Sequence, residues 1–218
     1  TNLAHHQVEL EILQAMESRH PGRMALGMEM FGRSAQATLD QWVAGKMDEK
    51  SFLREWYANW TADYDYYRPI LEFARERKIP VLALNATDEQ VRVLSEKGLE
   101  GLSEEIREGI PDLDPNDPYH RKAMEAVFGG HVPSHPSGGR DKKAFERFYQ
   151  TMLLWDETMA QGVVDYLRSP AGQKRQLVVM TGGFHVGYGF GVPRRVFRRL
   201  PVSYAIVLPQ TAEVAEGR

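Results

Sequence analysis

Three polar side chains stand at or near the ends of apolar runs. Glu29 lies in GMEMF, Asn85 ends VLALN, and His185 follows VVMTGG. If the runs are parallel strands, their carboxyl ends meet at one edge of a sheet, where ligands usually bind. A carboxylate inside an apolar run is costly unless it is paired, hydrogen-bonded or bound to a metal. Glu29 and His185 are therefore candidate metal ligands or acid–base groups, with Asn85 in support. The alternative for Glu29 is a structural acceptor for a loop or a helix N-terminus.

Glycines surround His185 on both sides, at positions 182, 183, 187, 189 and 191. Glycine permits tight turns and lets a ligand or a neighbouring chain approach the backbone closely. The run is not a phosphate-binding loop because no GK[ST] follows, and the dinucleotide-binding GxGxxG pattern is absent. We expect the glycines to make room for a ligand that His185 faces. The alternative is an ordinary hydrogen-bonding histidine of the core.

Asp156 lies on or beside the apolar stripe of a long helix predicted from about Lys142 to Leu167. A buried acid needs a partner, and this one is placed to fix the tautomer and orientation of a histidine such as His185. The alternative partner is a backbone amide or an indole N–H. Glu29, His185 and Asp156 together form the candidate catalytic set.

Four further histidines fall into two pairs. His5 and His6 begin the first helix, and His5 shares a face with Glu9, so we expect His5 to point inward and support the site. Adjacent helical residues point about 100° apart, which disfavours binding of one metal ion by both. His131 and His135 lie in the loop GGHVPSHP. They are interpreted as solvated, or alternatively as ligand contacts under a helical cap.

The order of predicted elements indicates the fold class. Strand-like runs at 24–30, 81–85, 177–183 and 203–209 alternate with helical patterns, which is typical of an α/β protein with a mainly parallel sheet flanked by helices. Residues 99–168 contain only helical patterns and loops, so they are predicted to form an all-helical insertion or cap. The 218 residues are expected to form one domain.

Composition excludes several classes of function. A net charge of −3 gives no electrostatic argument for nucleic acid binding. The absence of cysteine excludes disulfides, thiolate metal sites and cysteine nucleophiles. The one basic cluster, Arg194, Arg195, Arg198 and Arg199, is interpreted as the solvated side of a short helix or, alternatively, as a rim for an anionic ligand. No apolar run approaches the roughly 20 residues of a membrane span.

Five segments, in order, carry a resemblance to a known family. They are GMEMF, QATLDQW, PILEFARERKIPVLALN, LLWDETMA and GGFHVGYGFGVPRR, which extend over nearly the whole chain. The set resembles the ChaN-like haem-binding, iron-uptake lipoproteins, grouped with Tiki-type metalloproteases and erythromycin esterases. In the wider superfamily a site is built from a GxxH motif, a glutamate and a second GxxH motif. Gly182 to His185 fits the second motif, Glu29 fits the glutamate, and the first motif would fall just before Thr1.

The resemblance implies haem as cofactor, held by a tyrosine phenolate on the iron with a histidine or lysine on the propionates, in a possible homodimer. Tyr188 is the first choice for the phenolate, and Tyr64, Tyr66, Tyr67 and Tyr149 remain open. His185, His131 and His135 are the accompanying candidates. The resemblance also implies a location in the cell envelope, periplasmic or lipid-anchored, through a signal or anchor outside these residues.

Three hypotheses follow. The first is a haem-binding protein of bacterial iron acquisition, with haem at the carboxyl ends of the strands. The second is a hydrolase that uses a divalent metal on Glu29 and His185, with Asp156 behind them. The third is a protein that keeps the scaffold without its chemistry.

Overall fold

The computed structural model describes residues 2–131 and 142–210, the side chains at 130 and 131 excepted. Within this part of the chain one sheet is formed by β1 (Met24–Gly32), β2 (Val81–Asn85) and β3 (Gln176–Met180), in the order β2-β1-β3. Both ladders are parallel, and Leu26 of β1 pairs with Val81 on one side and Val178 on the other. The predicted fold class, a parallel sheet flanked by helices, is confirmed.

Helices connect and cover the strands. In chain order they are α1 (Leu3–Arg19), α2 (Gln36–Val43), α3 (Glu49–Asn59), α4 (Arg68–Glu76), α5 (Asp88–Lys97), α6 (Glu104–Glu108), α7 (Pro118–His131), α8 (Lys142–Arg168), α9 (Gly183–Val186) and α10 (Val192–Arg199). Their starts follow local chemistry, as at α5, where Thr87 and Gln90 form a reciprocal capping box. None of these helices is long and apolar enough to cross a membrane.

Alternation along the strands separates two layers. Leu26 and Met28 face a layer made by α1 to α4, whose aromatic core includes Trp42 stacked on Phe52 at 4.2 Å between ring centroids. The opposite face packs on α8 and α10, where Leu84 belongs to the same buried cluster as residues of both helices. Because side chains on a strand alternate with period two, Glu29 belongs to the α8 side.

The segment predicted to be all-helical contains α6, α7 and α8. Helix α8 begins at Lys142, as predicted, and ends one residue beyond the predicted end. Its C-terminal half packs directly on the sheet through Met159 and Val163. Because α8 contacts both the sheet and α10, the position of Asp156 is fixed close to the carboxyl edge of the strands.

The predicted strand at 203–209 is wrong. Residues 201–210 form no regular secondary structure, and Tyr204, Val207 and Leu208 are exposed. A strand needs a neighbour to accept its backbone hydrogen bonds, and within the described residues β3 pairs only with β1. An apolar, β-branched composition alone does not supply that neighbour.

Candidate functional site

Glu29 organises the loop that follows β3. Its Oε2 accepts hydrogen bonds from the hydroxyl of Thr181 at 2.5 Å and from the backbone N–H of Gly182 at 2.6 Å. Oε1 lies 3.4 Å from Nε2 of His185. Burial on its own would raise the pKa of this carboxyl, but the hydrogen bond and charge of His185, together with the Thr181 and Gly182 contacts, hold the pKa below its ordinary value. Glu29 is therefore an ionised acceptor that ties β1 to the glycine-rich loop.

His185 lies between two carboxylates. It is buried on α9, with Nδ1 2.7 Å from Oδ1 of Asp156 and Nε2 towards Glu29. Burial lowers the pKa of an imidazole, but the hydrogen bonds and charges of Asp156 and Glu29 outweigh it and raise the pKa of His185 to about 10. The ring is thus an imidazolium at neutral pH, with both nitrogens directed by acids.

Asp156 is fully buried and has partners on three sides. Oδ1 faces His185, Oδ2 lies 3.0 Å from Nε2 of His120, and Nη1 of Arg195 is 3.9 Å from Oδ2. Burial tends to raise the pKa of this acid, but the contacts with His120 and His185 hold it below its ordinary value. The structure therefore brings Glu29, His185 and Asp156 into one continuous row.

Two residues that extend this row beyond Asp156, His120 and Arg195, were not predicted from the sequence. His120 on α7 is 1% exposed, and nothing in its PYHRK surroundings indicates a buried imidazole. Arg195 was interpreted as part of a solvated face, yet it is 3% exposed. A signal was present in its spacing, because Arg195 follows Val192 by three residues and precedes Val196 on the apolar stripe of α10.

The basic cluster of α10 is mostly neutralised by acids. Glu157 is completely buried and faces three arginines, with Arg195 Nε at 3.0 Å, Arg199 Nη1 at 2.6 Å and Arg198 Nη2 at 3.2 Å. Arg194 is 3.0 Å from Asp117. The interpretation of a merely solvated face is corrected on this point: buried acids on α8 draw part of the helix inward.

The remaining predicted residues are dispersed. Asn85 lies at the same edge, but its side chain donates to the carbonyl of Glu29 and accepts from Ala86, so it joins the strand ends. On α1 the buried histidine is His6, which contacts Glu9 at 2.7 Å, whereas His5 is only partly buried. The side chain of His131 and the whole of His135 lie outside the described residues.

Tyr188 is the most exposed of the large apolar or aromatic side chains described, at 89%. Its backbone has a φ of 54°, in the left-handed region that residues with a Cβ seldom adopt. The ring stacks on Phe190, and Phe184 nearby in the chain is also half exposed. Maintaining such a conformation costs of order 1–3 kcal/mol, and strain of this kind clusters at ligand sites.

The buried tyrosines differ sharply from Tyr188. Tyr64, Tyr67 and Tyr149 are each at most 4% exposed. Burial raises the pKa of Tyr67 and of Tyr149 to about 12, chiefly by removing the phenolate from water. A phenolate ligand is therefore disfavoured at these positions, while Tyr66 is partly exposed.

Glu29 and His185 are spaced like two ligands of one metal ion, but two ligands are fewer than a catalytic zinc site uses. The 3.4 Å between Glu29 Oε1 and His185 Nε2 matches the roughly 3.3 Å between two ligands of a tetrahedral ion with bonds near 2.0–2.1 Å. Across the described residues, however, no group of three histidine, aspartate, glutamate or cysteine side chains is arranged to hold a metal.

Comparisons with known proteins agree with this architecture. Residues 1–196 match the family described as haem-binding uptake, Tiki superfamily, ChaN. A solved structure titled "Cofacial heme binding to ChaN of Campylobacter jejuni" superposes with a TM-score of 0.67 at 14% identity, covering 89% of this chain and 71% of that one. The plant protein RETICULATA-RELATED 5, chloroplastic, of Arabidopsis thaliana is 24% identical over 220 residues; the match covers 92% of this chain and only 28% of the relative. Because the family match extends over most of the chain, this protein belongs to the haem-binding uptake family of ChaN in the Tiki superfamily.

Proposed function

We propose that this protein binds haem at the carboxyl edge of its sheet, on the exposed face around Tyr188, as part of iron acquisition. The observation that carries the proposal is Tyr188 itself, an 89% exposed phenol on a left-handed backbone between Gly187 and Gly189. An added Cβ at Gly187 would meet no atom within 4 Å, so the space beside the backbone that precedes Tyr188 is open.

The side chains at this edge fit the chemistry of haem. Tyrosinate is an established axial ligand of haem iron, and the chain has no cysteine to compete. Phe184 and Leu208 expose apolar surface, and Leu208 lies against Gly183. Tyr188 would hold bound haem through its phenol oxygen, and the haem would supply a Lewis-acidic iron at this edge. The loop that carries Tyr188 also places the ring of His185 at this edge of the sheet.

The finer parts of the proposal come from the family resemblance. They are a role in bacterial iron uptake, a homodimer that shares the haem face, and a cell-envelope location through a lipid anchor. Growth of a strain on haem as its iron source, with and without the gene, tests the physiological role. Membrane fractionation of the full gene product tests the location.

Haem binding is tested by titrating the purified protein with hemin and following the Soret band. Wild type is expected to show a saturable shift with a phenolate-type charge-transfer band, and Tyr188→Phe is expected to lose that band. Tyr57→Phe is the matched control, because Tyr57 is 54% exposed on α3. Identical spectra and affinities for wild type and Tyr188→Phe would refute Tyr188 as the ligand.

A second candidate function is hydrolysis at Glu29 and His185. The 3.4 Å spacing of Oε1 and Nε2, with Asp156 behind the ring, favours it. Metal analysis and an esterase assay on wild type and Glu29→Gln test this candidate. One equivalent of bound metal, with hydrolysis lost in the variant, would favour the hydrolase over haem binding. If the protein binds neither hemin nor metal, the third hypothesis, a scaffold without this chemistry, is favoured.

A further inference from the structure

A second buried imidazole lies behind the one that faces the site. Nε2 of His120 is 3.0 Å from Oδ2 of Asp156, close but not aligned as a hydrogen bond, and its Nδ1 is 3.2 Å from Nη2 of Arg195. A guanidinium N–H can only donate, so Nδ1 must be the acceptor. The proton of the His120 ring is therefore on Nε2, the nitrogen that faces the Asp156 carboxylate. The partner geometry thus determines which tautomer is present.

Arg195 is held just as firmly. Its Nη1 donates to the carbonyl oxygens of Phe190 at 2.6 Å and Gly191 at 3.2 Å, and its Nε lies 3.0 Å from Glu157. Phe190 and Gly191 end the glycine-rich loop that begins beside His185. Arg195 consequently joins three elements: the loop, helix α8 through Glu157, and helix α7 through His120.

The buried charged residues Asp156, Arg195 and Glu157 lower the stability of the fold if they serve only to fill space. Each buried charge loses its hydration, and apolar side chains of similar volume are often equally stabilising. What these residues do provide is a fixed orientation of the Asp156 carboxylate. With Oδ2 of Asp156 turned towards His120 and Arg195, the carboxylate has only Oδ1 for His185, so its plane is fixed from behind.

We propose that His120 and Arg195 are positioning residues for His185: they hold the Asp156 carboxylate so that Nδ1 of His185 is bound and Nε2 points to Glu29 at the carboxyl edge of the sheet. The idea rests on the proposed function only in that His185 is placed at that edge. The arrangement of the side chains is a property of the ligand-free protein. It can therefore be tested without haem.

The test is a long-range ¹H–¹⁵N spectrum of the histidine rings in the ligand-free protein. Wild type is expected to show a downfield Nδ1–H of His185 that exchanges slowly with water. In His120→Leu the carboxylate loses its fixed orientation, so this proton is expected to broaden or exchange about tenfold faster, the factor that corresponds to a loss of about 1.4 kcal/mol in its hydrogen bond to Asp156. His120→Gln is expected to restore it, because its amide offers an acceptor and a donor on one planar group.

Two variants on α10 complete the design. Arg195→Gln removes the donor to His120 and is expected to show the same loss as His120→Leu. Arg198→Gln is the matched control, because Arg198 contacts Asp114 and Glu157 rather than His120. The backbone amide spectrum of each protein reports whether it is folded. If His120→Leu does not fold, Arg195→Gln decides the question.

The proposal is overturned if the folded variants keep the wild-type Nδ1–H signal and exchange rate, or if Arg198→Gln changes them as much. Hemin titration of the same proteins separates this idea from the proposed function. Weakened hemin binding, by about tenfold or more, is expected in His120→Leu and not in His120→Gln. If wild type itself binds no hemin, haem binding fails while the ring spectra still decide the positioning role.

Discussion

Replacing Asp156 by asparagine should change how the stability of this protein depends on pH. In the folded chain the pKa of His185 is about 10, against 6.5 for a free imidazole, because Asp156 and Glu29 outweigh the effect of burial. The folded state therefore holds one more proton than the unfolded state between these values. Its stabilising effect is complete below pH 6.5 and is lost as the pH rises towards 10.

The magnitude follows from proton linkage. One extra proton bound in the folded state lowers the free energy of unfolding by about 1.4 kcal/mol for each pH unit, hence by about 4 kcal/mol from pH 6.5 to 9.5. In Asp156→Asn the acid that contributes most to the shift is gone, so this decline should largely vanish. At pH 6.5 the variant should be less stable by about 3–5 kcal/mol, as for other broken buried ion pairs.

The assay is urea unfolding followed by tryptophan fluorescence at several pH values from 6.5 to 9.5. Groups that titrate in both proteins cancel in the difference between wild type and variant. Asp65→Asn is the control, because the side chain of Asp65 is 71% exposed and its loss should change stability by about 0.5 kcal/mol or less. A difference between wild type and Asp156→Asn that stays constant over this pH range would refute the reasoning.

Two further changes test the loop around His185. Gly191→Ala should destabilise the protein by about 1–3 kcal/mol in thermal or urea unfolding, because the added Cβ would overlap the carbonyl oxygen of His185; Gly187→Ala, with no atom within 4 Å, should be nearly neutral. Thr181→Val should cost about 1–3 kcal/mol at neutral pH by removing a donor to Glu29. Because the depressed pKa of Glu29 stabilises the fold above its ordinary value of 4.5, the same variant should lose stability at a higher pH on acidification, and Thr181→Ser should not.

Local pattern predicted most of the elements in this chain. The apolar run MALGMEM could be identified as a strand, and helix α8 was bounded to within one residue, because each carries its own periodicity and turn signals. The strand predicted at 203–209 was wrong because strand formation depends on residues elsewhere in the chain. A strand there depends on a hydrogen-bonding neighbour that its own residues do not supply.

The residues of the candidate site likewise include some that the sequence predicted and some that it did not. The strand ends singled out Glu29, the glycines singled out His185, and the apolar stripe of the long helix singled out Asp156. The two acids stood out because a carboxylate among apolar residues needs a partner. The sequence could not indicate His120, which reaches the site from a helix 36 residues before Asp156 in a polar, unremarkable stretch.

The sequence by itself determined the parallel α/β layering and the presence of acids and an imidazole at the carboxyl edge of the sheet. Tertiary structure alone decided which groups face one another. It turned Arg195 inward to His120 and Glu157, and it left Tyr188 exposed while burying Tyr64. The physical reason is that the periodicity of apolar residues, which predicts helices and strands, depends only on neighbours along the chain. The protonation and orientation of a buried group depend on charges brought from distant elements within a few ångströms.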